Sequence, residues 1–256
     1  MNVLAIEFPP ISHVVEWPGL FLKDTPFEVN KVVILMWISA ALVFGFMWAA
    51  GRKKSLVPTG LQNIAEATVD FVRNGIIMQT MGAHGLSWTP FMLTLFLFIM
   101  VGNVWGIIPV AQMPTNARIA FPALMAIVVY VLYHFMGIKE QGLGHYLKNT
   151  LFLPGVPAAM HLLLAPIEFI TAFITQPLSL AVRLFANMLA GHLLLVSFGV
   201  ITAGVFTLSA TAIIWPFAFG LLVGLTAFEI LVVFLQAFIF TMLTGVYIAK
   251  ATSAEH

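Results

Sequence analysis

The sequence predicts an all-α integral membrane protein of about five membrane helices plus one interfacial amphipathic helix, and three observations carry that prediction. The 256 residues are 61% hydrophobic and only 8% charged, against ~45–50% and ~25% in an ordinary soluble domain. The 11 basic and 10 acidic side chains are too few to cover a water-facing surface. Uncharged runs long enough to cross a ~30 Å hydrocarbon core recur along the chain. A water-soluble enzyme is thereby excluded. The formal net charge of +1, with no Lys/Arg run longer than Arg52-Lys53-Lys54, lacks a phosphate-binding footprint, so nucleic acid is not a partner. The absence of cysteine excludes disulfides, iron–sulfur clusters and thiolate catalysis. No glycine motif for phosphates is present, so no nucleotide contact is expected. The opening MNVLAIEFPP has no basic n-region and reads as an external segment over 1–31, not as a cleaved signal.

Residues 32 to 50 carry no charge over 19 positions, enough for one crossing. The basic stop at 52–54 ends this first membrane segment (32–54), which places the N-terminus outside by the positive-inside rule. Residues 60 to 81, within the segment 55–85, set Leu61, Ile64, Ala65, Thr68, Val69 and Val72 at helical spacing, with Glu66, Asp70 and Arg73 on another face. That helix is expected to lie on the cytoplasmic interface. Membrane helices two and three occupy 86–138, as residues 88 to 108, with Trp88 and Trp105 near the ends, and 121 to 138; 109 to 122 forms a short external loop. A cytoplasmic loop follows at 139–156. The remainder, 157–250, holds two nearly uncharged stretches, 157 to 201 and 210 to 249. Each is roughly 60–70 Å if helical, too long to stand upright. Each either folds back as two short helices or runs as one long, steeply tilted one, and length alone does not decide. A cytoplasmic tail, 251–256, closes the chain.

A charge at the centre of a spanning helix costs about 2.5–3.5 kcal/mol on insertion scales, so each needs a reason. Glu168, Arg183, His192 and Glu229 qualify, with the amides Asn187 and Gln236. If the two long segments are antiparallel and joined near 202 to 209, a constant register sets His192 level with Glu229. The same register sets Arg183 and Asn187 level with Gln236, and Glu168 level with the chain end near Thr252. His192 and Glu229 suit either a proton relay or an interhelical bond. Asn187 and Gln236 suit either support of a guanidinium or interhelical adhesion. Glu168 suits either a cytoplasmic-side acid or a carboxylate reaching the headgroups, while His161 and His134 read as interfacial. Arg183 stays cationic at every accessible pH, so it carries no protons and acts as a fixed charge. With no acidic residue one turn away, it predicts a partner carboxylate on another chain.

The stretch QPLSLAVRLFANMLAGHLLL (176–195), followed by FEILVVFLQAFIFTMLTGVYIAKA (228–251), closely resembles subunit a of the F-type ATP synthase membrane sector. Pro177, Ser179, Arg183, Asn187 and Gly191 fit the family's first signature helix, and Gln236, Ala237, Phe238 and Tyr247 fit the second. Earlier spans match in order and spacing more than in residues. The resemblance implies that Arg183 is the essential arginine facing a rotor ring of c subunits, supported by Asn187 and Gln236. It also implies that the last two helices form a steeply tilted hairpin against that ring. Two offset half-channels would serve it, the outer through His192 and Glu229, where some relatives carry the swapped pair. The cytoplasmic one would run by Glu168, which sits one residue farther from the arginine than the family's usual acid. Ser179 and His161 are further candidates. The implied partners are the c-ring, peripheral-stalk b-type subunits, the remainder of the ATP synthase, the lipid bilayer, protons, and lipophilic inhibitors at the interface with the ring. The implied setting is a bacterial cell membrane, with no cofactor, no metal and no catalysis on this chain alone. The competing readings are a self-contained channel or secondary transporter, of which the lack of an internal repeat disfavours only the inverted-repeat kind, and a non-conducting stator scaffold.

Overall fold

A computed structural model describes residues 19, 21, 28–52, 55, 57–108, 111, 113–152, 156–207 and 212–252. Most of the external N-terminal segment, Lys53 and Lys54 of the basic stop, residues 208 and 209 of the expected connection, and the tail beyond Thr252 lie outside the described residues. The described chain is helical apart from turns and one isolated antiparallel bridge, Phe21 to Val29. Helix α1 spans Lys31–Arg52 and α2 spans Leu61–Val72, continued by a π turn at Arg73–Ile77 and a last turn at Met78–Thr80. A 3-10 turn, Ala83–Trp88, leads into α3 (Thr89–Val104), and another, Thr115–Ala117, precedes α4 (Ala120–Gln141). Then follow α5 (Leu143–Leu151), α6 (Ala158–Ile170), a π turn at Thr171–Thr175, α7 (Gln176–Thr207) and α8 (Trp215–Thr252).

Among the described residues, five helical runs are long and apolar enough to cross a bilayer: Lys31–Arg52, Ala83–Val104, Ala120–Gln141, Met160–Phe206 and Trp215–Thr252. The two long stretches that the sequence left open are each one uninterrupted helical run, of 47 and 38 residues. Pro216 sits at the second position of α8, where its missing N–H is an orphan anyway. Pro166 lies inside α6, and Pro177 is taken up by the wide turn before it. Helix α2 is not among the crossing candidates. Its buried side is Ala65 and Val72, continued by Ile76 and Ile77. Leu61 and Ile64, expected on that stripe, are exposed. The segment 139–156, expected to be a cytoplasmic loop, carries α5, whose Tyr146 is buried. Gly142, at φ 76°, makes the break between α4 and α5 in a backbone region that favours glycine.

The chain divides into two compact units. The first gathers Met1–Val43, Phe98–Arg118 and Phe185–Gln236. Its apolar core holds Val32, Leu35, Ala111 and Met113, with Trp105 packed against it. Trp105 Nε1 donates to Ser39 Oγ at 2.7 Å, and Ser39 donates in turn to the Leu35 carbonyl at 2.8 Å. Trp105 is thus bonded within the protein. In the segment 109 to 122, expected to be an external loop, Met113, Thr115, Asn116 and Ala117 are buried. The Asn116 amide donates to Asn103 Oδ1, and Gly102 leaves the space that Thr115 fills.

The second unit gathers Phe44–Leu97, Ile119–Leu184 and Ala237–His256. Phe71 packs on Phe96 and Phe238, with ring centroids 5.7 and 5.9 Å away. His134, expected at the interface, is buried. Its Nδ1 lies 2.7 Å from the Tyr146 hydroxyl and its ring stacks on Phe173. Its Nε2 is buried without a hydrogen-bond partner among the described residues. Gln141 Nε2 donates to the Ala251 carbonyl at 2.9 Å, holding the end of α8 to the end of α4. Gly137 makes that approach possible, since a Cβ there would meet the Tyr146 ring and stand 2.9 Å from the Ala251 carbonyl oxygen. Gly45, in contrast, has open space around the same position. Gly137→Ala is therefore expected to lower stability by about 1–3 kcal/mol through overpacking. Gly45→Ala should be neutral or raise it by about 0.5–1 kcal/mol. Thermal unfolding of the detergent-solubilised protein reads both.

Candidate functional site

In the first unit, the part of α7 from 185 onward packs against the part of α8 up to Gln236. Asn187 Nδ2 donates to Gln236 Oε1 at 2.7 Å, and Thr202 Oγ1 reaches the Ala218 carbonyl at 3.4 Å. These two bonds fix an antiparallel register close to the expected one. Between them, Gly191 faces Glu229: a Cβ on residue 191 would stand 3.1 Å from Glu229 Oε1. The glycine is what lets this carboxylate lie flat between helices. His192 and Glu229 are both buried, at 3% and 4% exposure, and Gly191, next to His192 in sequence, is the residue that faces the Glu229 carboxylate. Glu229 Oε2 is buried with no hydrogen-bond partner among the described residues. A buried carboxylate oxygen left so is costly unless a proton, a water or another group serves it.

In the second unit, α7 turns Leu180, Ala181 and Leu184 inward and leaves Arg183 exposed. Among the described residues, neither a hydrogen bond nor an ion pair is formed by its guanidinium. Leu178 and Val182 beside it are also exposed, so the cation projects from an apolar surface. Glu168 has a partner the sequence reading missed: Lys250 Nζ is 3.7 Å from its Oε2, with the side chains 51% and 22% exposed for Lys250 and Glu168. At that distance and exposure the pair contributes little to stability, yet it places a cation beside the candidate acid. The register had put Glu168 beside the end of α8, and Lys250 is half a turn from the residue it pointed to. Ser179 and His161 are half-buried. The His161 ring lies 5.4 Å from Phe152, a packing contact. Asn103 and Asn116, also missed, each keep one buried amide atom without a partner among the described residues. Only their positions on one apolar helix and its following loop hinted at them.

A protein-family model described as ATP synthase A chain matches residues 33–249. This chain belongs to the ATP synthase A chain family. Curated relatives named "ATP synthase subunit a" agree. That of Parafrankia sp. (strain EAN1pec) is 41% identical over 255 residues, covering 96% of this chain and 84% of the relative. That of Frankia alni is 42% identical over 259 residues, covering 96% and 87%. That of Hyphomonas neptunium is 37% identical over 257 residues, covering 98% of each. Membership in the ATP synthase A chain family makes the five apolar runs those of a multi-pass membrane subunit, and every candidate residue falls inside the matched stretch. The Asn187–Gln236 bond yields a direct test. Asn187→Ala and Gln236→Ala should each destabilise, and the double variant should lose scarcely more than either single one. The coupling expected from thermal unfolding in detergent is about 0.5–2 kcal/mol.

Proposed function

We propose that this chain is the proton-conducting stator subunit of an F-type ATP synthase, forming two offset half-channels that load and unload carboxylates on a ring of c subunits. The observation that carries the reading is Arg183. A guanidinium exposed on an apolar helix, without a hydrogen bond or ion pair among the described residues, is suited to a carboxylate supplied by a neighbour. Because it cannot release its proton, it stands as a fixed positive charge and relays no protons. Buried Glu229, with one oxygen unserved, and His192 provide an acid and an imidazole for the outer path. Glu168 serves the cytoplasmic path.

In this mechanism a ring carboxylate gives its proton to the cytoplasmic path, moves past Arg183 as an anion, and takes a proton from the outer path by way of His192 and Glu229. Rotation of the ring then drives ATP synthesis elsewhere in the complex. Each charge moved through the membrane potential supplies ~2.3 kcal/mol per 100 mV. A direct leak between the paths would dissipate it, and the fixed cation opposes that leak. Lys and Arg counts favour an external N-terminus and a cytoplasmic C-terminus: Arg52, Lys53, Lys54, Arg73, Lys139, Lys148 and Lys250 fall inside under a five-crossing topology, against Lys23, Lys31 and Arg118 outside.

Arg183→Ala is expected to abolish ATP-driven proton pumping in inverted membrane vesicles while the complex remains assembled, and pumping that persists rejects the role. Arg183→Lys should fail as well, because a compact ammonium does not reproduce the planar, delocalised fork. Charge-neutral replacement of both Glu229 and His192 should stop proton flux. Full flux in that variant would instead favour a stator that only anchors the complex.

A further inference from the structure

The π turn at Thr171–Thr175 leaves one backbone group in difficulty. Its closing bond runs from the Gln176 N–H to the Thr171 carbonyl. The next carbonyl, of Ala172, would be served by the N–H of residue 176 in an α-helix, or of residue 177 in a π turn. The first is already committed, and the second is Pro177, which has none. Ala172 is buried, and lipid offers its carbonyl no donor. The Tyr133 hydroxyl, on α4, fills the gap by donating to the Ala172 carbonyl at 3.2 Å. The same hydroxyl lies 3.4 Å from Gln176 Oε1, and its ring packs on Tyr247 with centroids 5.8 Å apart. Tyr133 is itself buried.

We propose that Tyr133 is a positioning residue for Arg183, holding the wide turn open so that the helix beyond it presents the guanidinium outward. Arg183 lies two turns past this wide turn on the same helix. A π turn takes up about one residue more than an α turn, so its collapse would rotate everything downstream by about 100°. That rotation would carry Arg183 away from the face it now occupies. The inference rests on the role proposed for Arg183, but its physical core, a tyrosine hydroxyl standing in for the donor that Pro177 lacks, can be read separately.

The test is a two-by-two set in the assembled complex: the unmodified chain, Tyr133→Phe, Pro177→Ala, and the double variant. Alanine at 177 restores a backbone N–H within reach of the Ala172 carbonyl, so it should make the tyrosine hydroxyl dispensable. Tyr133→Phe alone is expected to reduce ATP-driven proton pumping in vesicles about five-fold or more. In the Pro177→Ala background the same change should cost less than about two-fold. A Tyr133→Phe complex that assembles poorly supports the proposal when Pro177→Ala restores assembly. An unaffected Tyr133→Phe variant overturns it, as do equal losses in both backgrounds or assembly failure in both. The temperature at which the subunit leaves the detergent-solubilised complex, measured on the same four proteins, gives the cycle without reference to transport. Coupling present there while Arg183→Ala still pumps would defeat the functional reading and leave the Tyr133–Pro177 relation standing. Additive temperatures would defeat that relation by itself.

Discussion

Hydrocarbon offers the polypeptide no hydrogen-bonding partner, so every polar group carried into it must be served from within the protein. The helices of this chain meet that demand for the backbone, and their hydroxyls follow by folding back on their own helix. Ser197, Thr241 and Thr244 each donate to the carbonyl four residues earlier, at 2.7–2.9 Å. Where the regular pattern is broken, a side chain from another helix supplies the missing donor. Tyr133 does so for Ala172 at the π turn, and Gln141 does so for the carbonyl of Ala251 near the end of α8. The Trp105–Ser39–Leu35 chain of bonds solves the same problem for an indole and a hydroxyl.

The same demand makes the ionisable groups informative. Glu168 is matched with Lys250, and the amides Asn187 and Gln236 are matched with each other. Glu229 retains an unserved oxygen, and Arg183 faces outward. Both fall within the part of the sequence that the ATP synthase A chain family model matches.

The π turn also bears on the spacing of the acid and the arginine. Over plain α-helix, 15 residues at ~100° each would set Glu168 about 60° around the axis from Arg183. A wide turn between them takes up about one residue, which moves the offset to about 40° on the other side. The wide turn lies between the acid and the arginine and ends two residues before Pro177. The proline alone suggested a bend in the axis. What formed is a change of helical register, because a π turn removes the clash between the ring and the earlier carbonyl without parting the helix.

Local composition and periodicity determined which segments are apolar helices, where basic residues stop the first of them, and that a few ionisable groups remain in membrane-spanning helices. Those properties depend on neighbours within one or two turns, so they are written in the order of residues. The register of the last two helices was also legible, since antiparallel pairing ties distant positions by simple counting; the Asn187–Gln236 bond and the approach of Glu229 to Gly191 follow from it. Only the tertiary structure decided that His134 is enclosed by Tyr146 and Phe173, that Lys250 stands by Glu168, and that Asn116 turns inward to Asn103. It alone assigned Tyr133 to a carbonyl 39 residues away and Gln141 to one 110 residues away. Such pairings arise from how helix faces meet, and no periodicity within either partner encodes the other.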